Sequence, residues 1–259
     1  MGEIVVTKSD ESLHGKAAVV TGSSSGIGRA IALDLAGAGV HVLVHARQNK
    51  EGAEEVARRI CSMGRETEVI LADLSDLAEQ DRLVHAAWNW RPIDIWINNA
   101  GADVLTGAAA KWTFEEKLAA LWKVDVVASV RLSRAIGQRI RERGHGVILN
   151  MGWDQAETGM AGDSGEMFAA VKGAVMAATR SLAKSLAPEV RVNCLAPGWI
   201  RTEWGRHASA AWQDRAQRES LLQRWGTSED VARVARFLVS PEAEFINGQA
   251  ISINGGRPN

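Results

Sequence analysis

The sequence contains no tyrosine, although it carries ten tryptophans and four phenylalanines. No mechanism that needs a phenol is open to this chain. Cysteine is almost absent too, with only Cys61 and Cys194. Two cysteines give no disulfide framework, and the six histidines form no pair at zinc-site spacing, so no metal site is expected. Cys194 lies in an apolar run and reads as a small buried hydrophobe. An excess of either charge is also missing. Thirty Lys and Arg stand against 31 Asp and Glu, a net charge of −1. That leaves neither a basic footprint for nucleic acid nor an acidic steering field. No apolar stretch approaches the length of a membrane span. Met1–Gly15 lacks the basic segment and apolar run of a secretory signal. The expectation is a cytoplasmic protein. With no linker rich in Pro or Gly and no internal repeat, residues 1–259 read as one domain, 1–14 being an N-terminal extension.

Short β-branched runs alternate with longer segments of helical spacing. The strand candidates are Lys16–Val20, Val40–Val44, Thr67–Leu71, Ile93–Asn98, Val147–Asn150, Arg191–Leu195 and Gln249–Ile253. Most are near-continuous apolar runs, as parallel strands covered on both faces require. Between them, Arg29–Ala36, Glu51–Met63, Leu77–Trp88 and Phe168–Ala187 repeat their apolar residues at helical spacing. Strand followed by helix, repeated, predicts an α/β fold: a Rossmann-type doubly wound parallel sheet in three α/β/α layers. Gly152–Glu166 reads as a loop. The Arg-rich stretch 199–226 reads as a substrate-lid segment. Ligands of such folds bind beyond the carboxyl ends of the strands, where both stretches lie.

The first strand runs into Thr21-Gly22-Ser23-Ser24-Ser25-Gly26-Ile27-Gly28, and a helix follows. Gly22 lets the chain turn sharply, Gly26 admits a close backbone approach to a pyrophosphate, and Gly28 lets helix and sheet pack closely. The helix N-terminus then offers free N–H groups and the positive end of its dipole. A glycine-rich turn without a ligand would use the same residues. Its place inside a βαβ unit favours the dinucleotide reading.

Taken with Asp73-Leu74, Asn98-Asn99-Ala100-Gly101, Pro197-Gly198-x-Ile200-x-Thr202, Arg224-Trp225-Gly226 and Asn254-Gly255-Gly256, this turn resembles the short-chain dehydrogenase/reductase family over Gly15–Gly256. The resemblance implies a nicotinamide dinucleotide held by Gly22, Ser24, Ser25, Gly26, Ile27 and Gly28 at the phosphates. Asp73 and Leu74 would meet the adenine, and Asn99, Ala100 and Gly101 the middle of the cofactor. Lys172 would reach the nicotinamide ribose, and Pro197, Gly198, Ile200 and Thr202 the nicotinamide. The second strand ends His45-Ala46-Arg47. Ala46 replaces the acid of NAD-preferring relatives, and Arg47 suits a 2′-phosphate, so NADP(H) is favoured over NAD(H). Ser25 stands where many NADP-preferring relatives carry a second basic residue. The family further implies a homodimer or homotetramer built through helices near Trp112–Arg141 and Phe168–Ala187. Trp122 is either an interface anchor or core.

The same resemblance locates four catalytic positions and finds three of them changed. The family's Tyr-x3-Lys helix reads Phe168-Ala169-Ala170-Val171-Lys172. Phenylalanine has no exchangeable proton, and no tyrosine exists anywhere in the chain to take its place. Trp153 aligns with the serine, and Asp125 with the relay asparagine. Lys172 alone is retained, and Asp125 is expected to pair with it.

Three readings follow. An oxidoreductase of carbonyl or hydroxyl substrates could have moved its proton donor to Asp154, Asp163 or Glu166. A cofactor-binding protein without turnover, a pseudoenzyme acting as an NADP(H) sensor or a non-catalytic subunit, would keep the cradle and lose the acid. In that reading Trp199 and Trp204 could cover the nicotinamide. A structural homologue would bind nothing.

Overall fold

The structure is a computed structural model that describes residues 12–203, 205 and 209–257. Trp204 and most of the N-terminal extension lie outside the described residues. The seven expected strands form one sheet, with bounds moved by a residue or two. They are β1 (Ala17–Val20), β2 (His41–Ala46), β3 (Thr67–Leu71), β4 (Ile95–Asn98), β5 (Gly146–Met151), β6 (Val190–Pro197) and β7 (Ala250–Ile253). Their order is β3-β2-β1-β4-β5-β6-β7, and every pairing is parallel. The order reverses between β1 and β4, which opens a crevice at the carboxyl edge.

Helices α1 (Gly26–Gly37), α2 (Lys50–Ser62) and α3 (Leu77–Trp90) follow the first three strands. Asp76 starts α3 by accepting from the Ala78 and Glu79 amides. The segment expected as one helix over Trp112–Arg141 is instead three pieces: α4 (Phe114–Leu121), a π-helical stretch (Trp122–Ala128) and α5 (Ser129–Arg143). Thr113 and Glu116 form a capping box at its start, and Gly144, in the left-handed region, ends it. The π stretch carries Asp125.

Gly152–Glu166 is not simply a loop. It holds a short helix, α6 (Gln155–Thr158), and the first turn of α7 (Asp163–Leu186). Its glycines hid the helix start. Asp163 and Glu166 lie in the first turn, where a carboxylate faces the positive end of the dipole. The 199–226 stretch also has structure, holding α8 (Ala210–Arg218) ahead of α9 (Ser228–Val239).

The sheet is covered on both faces. On one side its apolar residues meet Ile31, Leu35, Val56, Ile60, Val231 and Leu238 from α1, α2 and α9. On the other they meet Leu83, Leu132, Ile136, Leu182 and Leu186 from α3, α5 and α7. Between β4, β5, α5 and α7 runs a buried polar chain. Asn98 Nδ2 donates to Ser133 Oγ and Asn150 Oδ1, both at 2.8 Å, and Asn150 Nδ2 donates to Thr179 Oγ1 at 3.0 Å. Each side chain is satisfied, so the chain fixes helices to strands just below the carboxyl edge.

Candidate functional site

The glycine turn is held from behind. Thr21 Oγ1 accepts from the amides of Asn99 and Ala100 at 3.0 Å, joining the ends of β1 and β4. Asn99 Nδ2 donates to the carbonyls of Thr21 and Gly22. His45 is buried, and its Nε2 lies 3.0 Å from the Ala72 carbonyl. That carbonyl can only accept, so Nε2 carries the proton. Nδ1 is then the acceptor for the Gly22 amide at 3.0 Å. Burial lowers the His45 pKa to about 4, which keeps the ring in the neutral form this arrangement needs. The His45 ring spends both nitrogens on the backbone and positions the turn.

The glycines differ in purpose. A Cβ at Gly22 would lie 2.9 Å from Ala100 Cα, and one at Gly28 would lie 2.3 Å from the Gly22 carbonyl oxygen. Both positions serve close packing within the protein. Gly26 is different: with φ +54° its absent side chain faces only the Thr202 methyl, at 3.8 Å. Ser25, the N-cap of α1, makes no side-chain bond to the first turn, and that turn holds no acid. The N-terminal amides of α1 therefore face the crevice uncapped, as an anion site requires. At the rim, exposed Arg47 follows β2 and Asp73 follows β3. Partial burial opposes the charge on Asp73. The Ser75 amide at 2.8 Å and the nearby Arg47 outweigh it and hold the carboxyl below its ordinary range. Asp73 does not cap α3; Asp76 does. Leu74 is buried beside it.

Across the crevice, the expected ion pair forms. Lys172 Nζ lies 2.7 Å from Asp125 Oδ1, with side-chain exposures of 12% and 2%. The second carboxylate oxygen accepts from the Ala102 amide at 2.9 Å, and Lys172 also donates to the Met151 carbonyl at 3.2 Å. A Cβ at Gly101 would touch Asp125 Oδ1 at 2.9 Å, so this carboxylate borders the loop after β4. Trp153 and Phe168 meet edge to face, with ring centroids 6.3 Å apart at 65°. Phe168 and Lys172 lie one turn apart on α7, so the aromatic pair and the ion pair share one wall.

None of the three carboxyls weighed as a substitute acid joins that wall. Asp163 and Glu166 are exposed. Asp154 is buried, which raises its pKa, but its Oδ2 accepts from Asn254 Nδ2 at 3.0 Å and pairs with Arg257 Nε at 3.1 Å. It anchors the chain after β7. That chain also meets the 199–226 stretch, where the amides of Leu221 and Leu222 donate to the Gly256 and Gly255 carbonyls.

Within the 199–226 stretch, aromatic and charged groups pair with one another. Trp199 Nε1 donates to Glu219 at 2.8 Å, and the Arg215 guanidinium lies over both Trp199 and Trp212. Pro197 ends β6, the Gly198 amide donates to Ile253, and Ile200 is buried and bridges to Gly226.

Comparison with known proteins fits this architecture. A family profile described as enoyl-(acyl carrier protein) reductase matches residues 22–257. The chain is 31% identical over 261 residues to dehydrogenase/reductase SDR family member 4 of Oryctolagus cuniculus, covering 98% of this chain and 97% of that one. The chain belongs to the short-chain dehydrogenase/reductase family. A short-chain dehydrogenase from Burkholderia cenocepacia, solved with NADP, superposes with a TM-score of 0.85 at 33% identity, covering 95% of this chain and 98% of the other. A 7α-hydroxysteroid dehydrogenase, solved with NADH and 7-oxoglycochenodeoxycholic acid, gives 0.87 at 27% identity, with 97% of each chain covered.

Within this short-chain dehydrogenase/reductase, the sequence-predicted cofactor residues gather at the carboxyl edge of β1, β2, β3, β4 and β6. Sequence reasoning missed Thr21 as a clamp and Arg257 as the partner of Asp154. The Thr21 signal was present as a hydroxyl at the first turn residue. Nothing in the sequence brings Arg257 within reach of position 154. Trp122 is exposed and is not core. Among the described residues, no helix is long and apolar enough to cross a membrane.

Proposed function

We propose that this short-chain dehydrogenase/reductase binds NADP(H) without catalysing the family's usual carbonyl–alcohol exchange, and serves as a cofactor sensor or as a non-catalytic subunit. One observation carries the reading: Phe168 and Trp153 stand together beside a Lys172 already bound to Asp125 at 2.7 Å. Hydride transfer to a carbonyl requires a proton for the developing alkoxide. Phenylalanine has none, an indole N–H is a donor that does not release its proton, and the lysine ammonium is held by a carboxylate. Asp154, the one buried carboxyl among the candidates, is engaged through Oδ2 by Asn254 and Arg257, while its Oδ1 is buried without a hydrogen-bond partner among the described residues.

Binding itself is supported by fit. The uncapped, acid-free first turn of α1 suits the diphosphate, and Gly26 leaves room for it. Ile200 and Thr202 would face the nicotinamide, and Lys172 its ribose. A bound nicotinamide would supply a hydride; the residues here would orient the ring and shield it. Arg47, at the end of β2 with Ala46 in place of an acid, is the basis for NADP(H) over NAD(H). We further propose a cytoplasmic homodimer or homotetramer.

Because there is no tyrosine, all protein emission is from tryptophan. Titration with NADPH should quench it saturably, and NADPH absorbance should then stay constant across a broad panel of ketones and aldehydes. Turnover abolished by Asp154→Asn would restore the relocated-acid reading. Unquenched emission from well-folded protein would remove cofactor binding altogether.

A further inference from the structure

We infer that the Trp153 indole makes this site favour the oxidised dinucleotide, NADP+, over NADPH. The inference rests on the cofactor-binding reading above and adds what the bound cofactor reports.

Oxidised nicotinamide is a flat aromatic cation, whereas the reduced ring is uncharged. The wall that would carry a hydroxyl pair in a catalytic relative presents two aromatic rings, Trp153 and Phe168, packed edge to face at 6.3 Å. Indole is the best of the aromatic side chains at attracting a cation to its face. The one cationic side chain on that wall would normally oppose a cationic ring. Here Asp125 neutralises it at 2.7 Å, and the same carboxylate reaches the Gly101 loop. The usual electrostatic penalty on the oxidised ring is therefore cancelled, and an attractive surface replaces the acid.

Other tryptophans are less suited. Trp88 already has Arg139 and Arg143 over its ring, and Arg215 lies over Trp199 and Trp212. Among the described residues, no guanidinium or ammonium lies over Trp153. An enzyme turning over NADPH would be held back by such a preference, because its own product would stay bound. A protein without turnover gains a response to the oxidised fraction of the pool.

The test is calorimetric titration of the intact protein with NADP+ and NADPH separately, with absorption spectra of the NADP+ complex. NADP+ should bind roughly three- to thirtyfold more tightly than NADPH, the span of a partly to fully desolvated cation–π contact. A broad charge-transfer absorption should appear to the red of both free partners. In Trp153→Leu the affinity ratio should fall towards one and the band should vanish; Trp153→Phe, which keeps an aromatic ring, should fall between. NADPH binding as tightly as NADP+ in the wild type, or a ratio unchanged by both substitutions, overturns the inference and leaves cofactor binding standing. Failure of both nucleotides to bind overturns both.

Discussion

Replacing Lys172 by methionine isolates the ion pair at the centre of the site. The substitution keeps the aliphatic stem and removes the ammonium. Asp125, 2% exposed, would keep the Ala102 amide at 2.9 Å, and its Oδ1 would lose the ammonium now 2.7 Å away. Stranding one member of a buried pair costs about 3–5 kcal/mol. For a chain of this size that corresponds to a fall in Tm of roughly 6–20 °C. Asp125→Asn should be milder. Its single oxygen would have to serve both the Ala102 amide and Lys172, leaving one donor short at about 1–3 kcal/mol. Combining Asp125→Leu with Lys172→Met removes both charges and should cost less than Lys172→Met alone, since the partnerless carboxylate is gone. Equilibrium urea unfolding of the three variants, read as midpoint shifts at constant slope, supplies the comparison. If Lys172→Met costs less than about 1 kcal/mol, the pair is behaving as a solvated surface bridge and the reasoning from its burial fails.

Gly28→Ala places a Cβ 2.3 Å from the Gly22 oxygen and 2.4 Å from Asn99 Nδ2. Stability should drop by about 1–3 kcal/mol, and NADPH affinity by about tenfold or more as the turn shifts, which circular dichroism and calorimetry can separate. Arg47→Met should weaken NADPH by about 1.5–3 kcal/mol, the worth of a charged hydrogen bond, and leave NADH nearly untouched; equal losses for both nucleotides would remove Arg47 from phosphate recognition. His45 falls from its ordinary 6.5 to about 4 because burial penalises the charged ring. A lowered histidine pKa means the unfolded chain binds the proton first, so this stability is complete above pH 6.5. It is lost as pH falls towards 4, by about 3 kcal/mol in all. His45→Gln should flatten that window of the unfolding profile.

The fold was legible because its determinants are local. Parallel strands covered on both faces are largely apolar, and Ala17–Val20, Ile95–Ile97 and Val147–Leu149 show that run, with Asn98 and Asn150 at the strand ends satisfied by each other, Ser133 and Thr179. Helix starts were harder to read. Asp163 opens α7 from within a run of Gly, Asp and Ser whose composition also fits a loop, and only packing of Met167 and Val171 into the core decides it. The π stretch around Asp125 has no composition of its own: Trp122–Ala128 reads as ordinary helix, and its wider turns show only in the backbone.

Within the site, spacing along one element foretold what spacing can. Phe168 and Lys172 share a face because four residues make a turn, and Asp125 was paired with Lys172 through family order. What spacing cannot give is the fate of Asp154. Its neighbour Trp153 faces Phe168, yet the carboxyl one residue on is bound by Asn254 and Arg257, about a hundred residues later. Burial pushes the Asp154 carboxyl up from its ordinary range, the direction a proton donor needs. Held through Oδ2 by a guanidinium and an amide, it ties the C-terminal strand end to the chain after β5, and Gly255 and Gly256 in turn accept from Leu222 and Leu221. The buried acid thus serves architecture, and the wall beside Lys172 is left with aromatic rings. A hydroxyl at position 168 would lie beside the Trp153 indole, one helical turn from a lysine paired with Asp125.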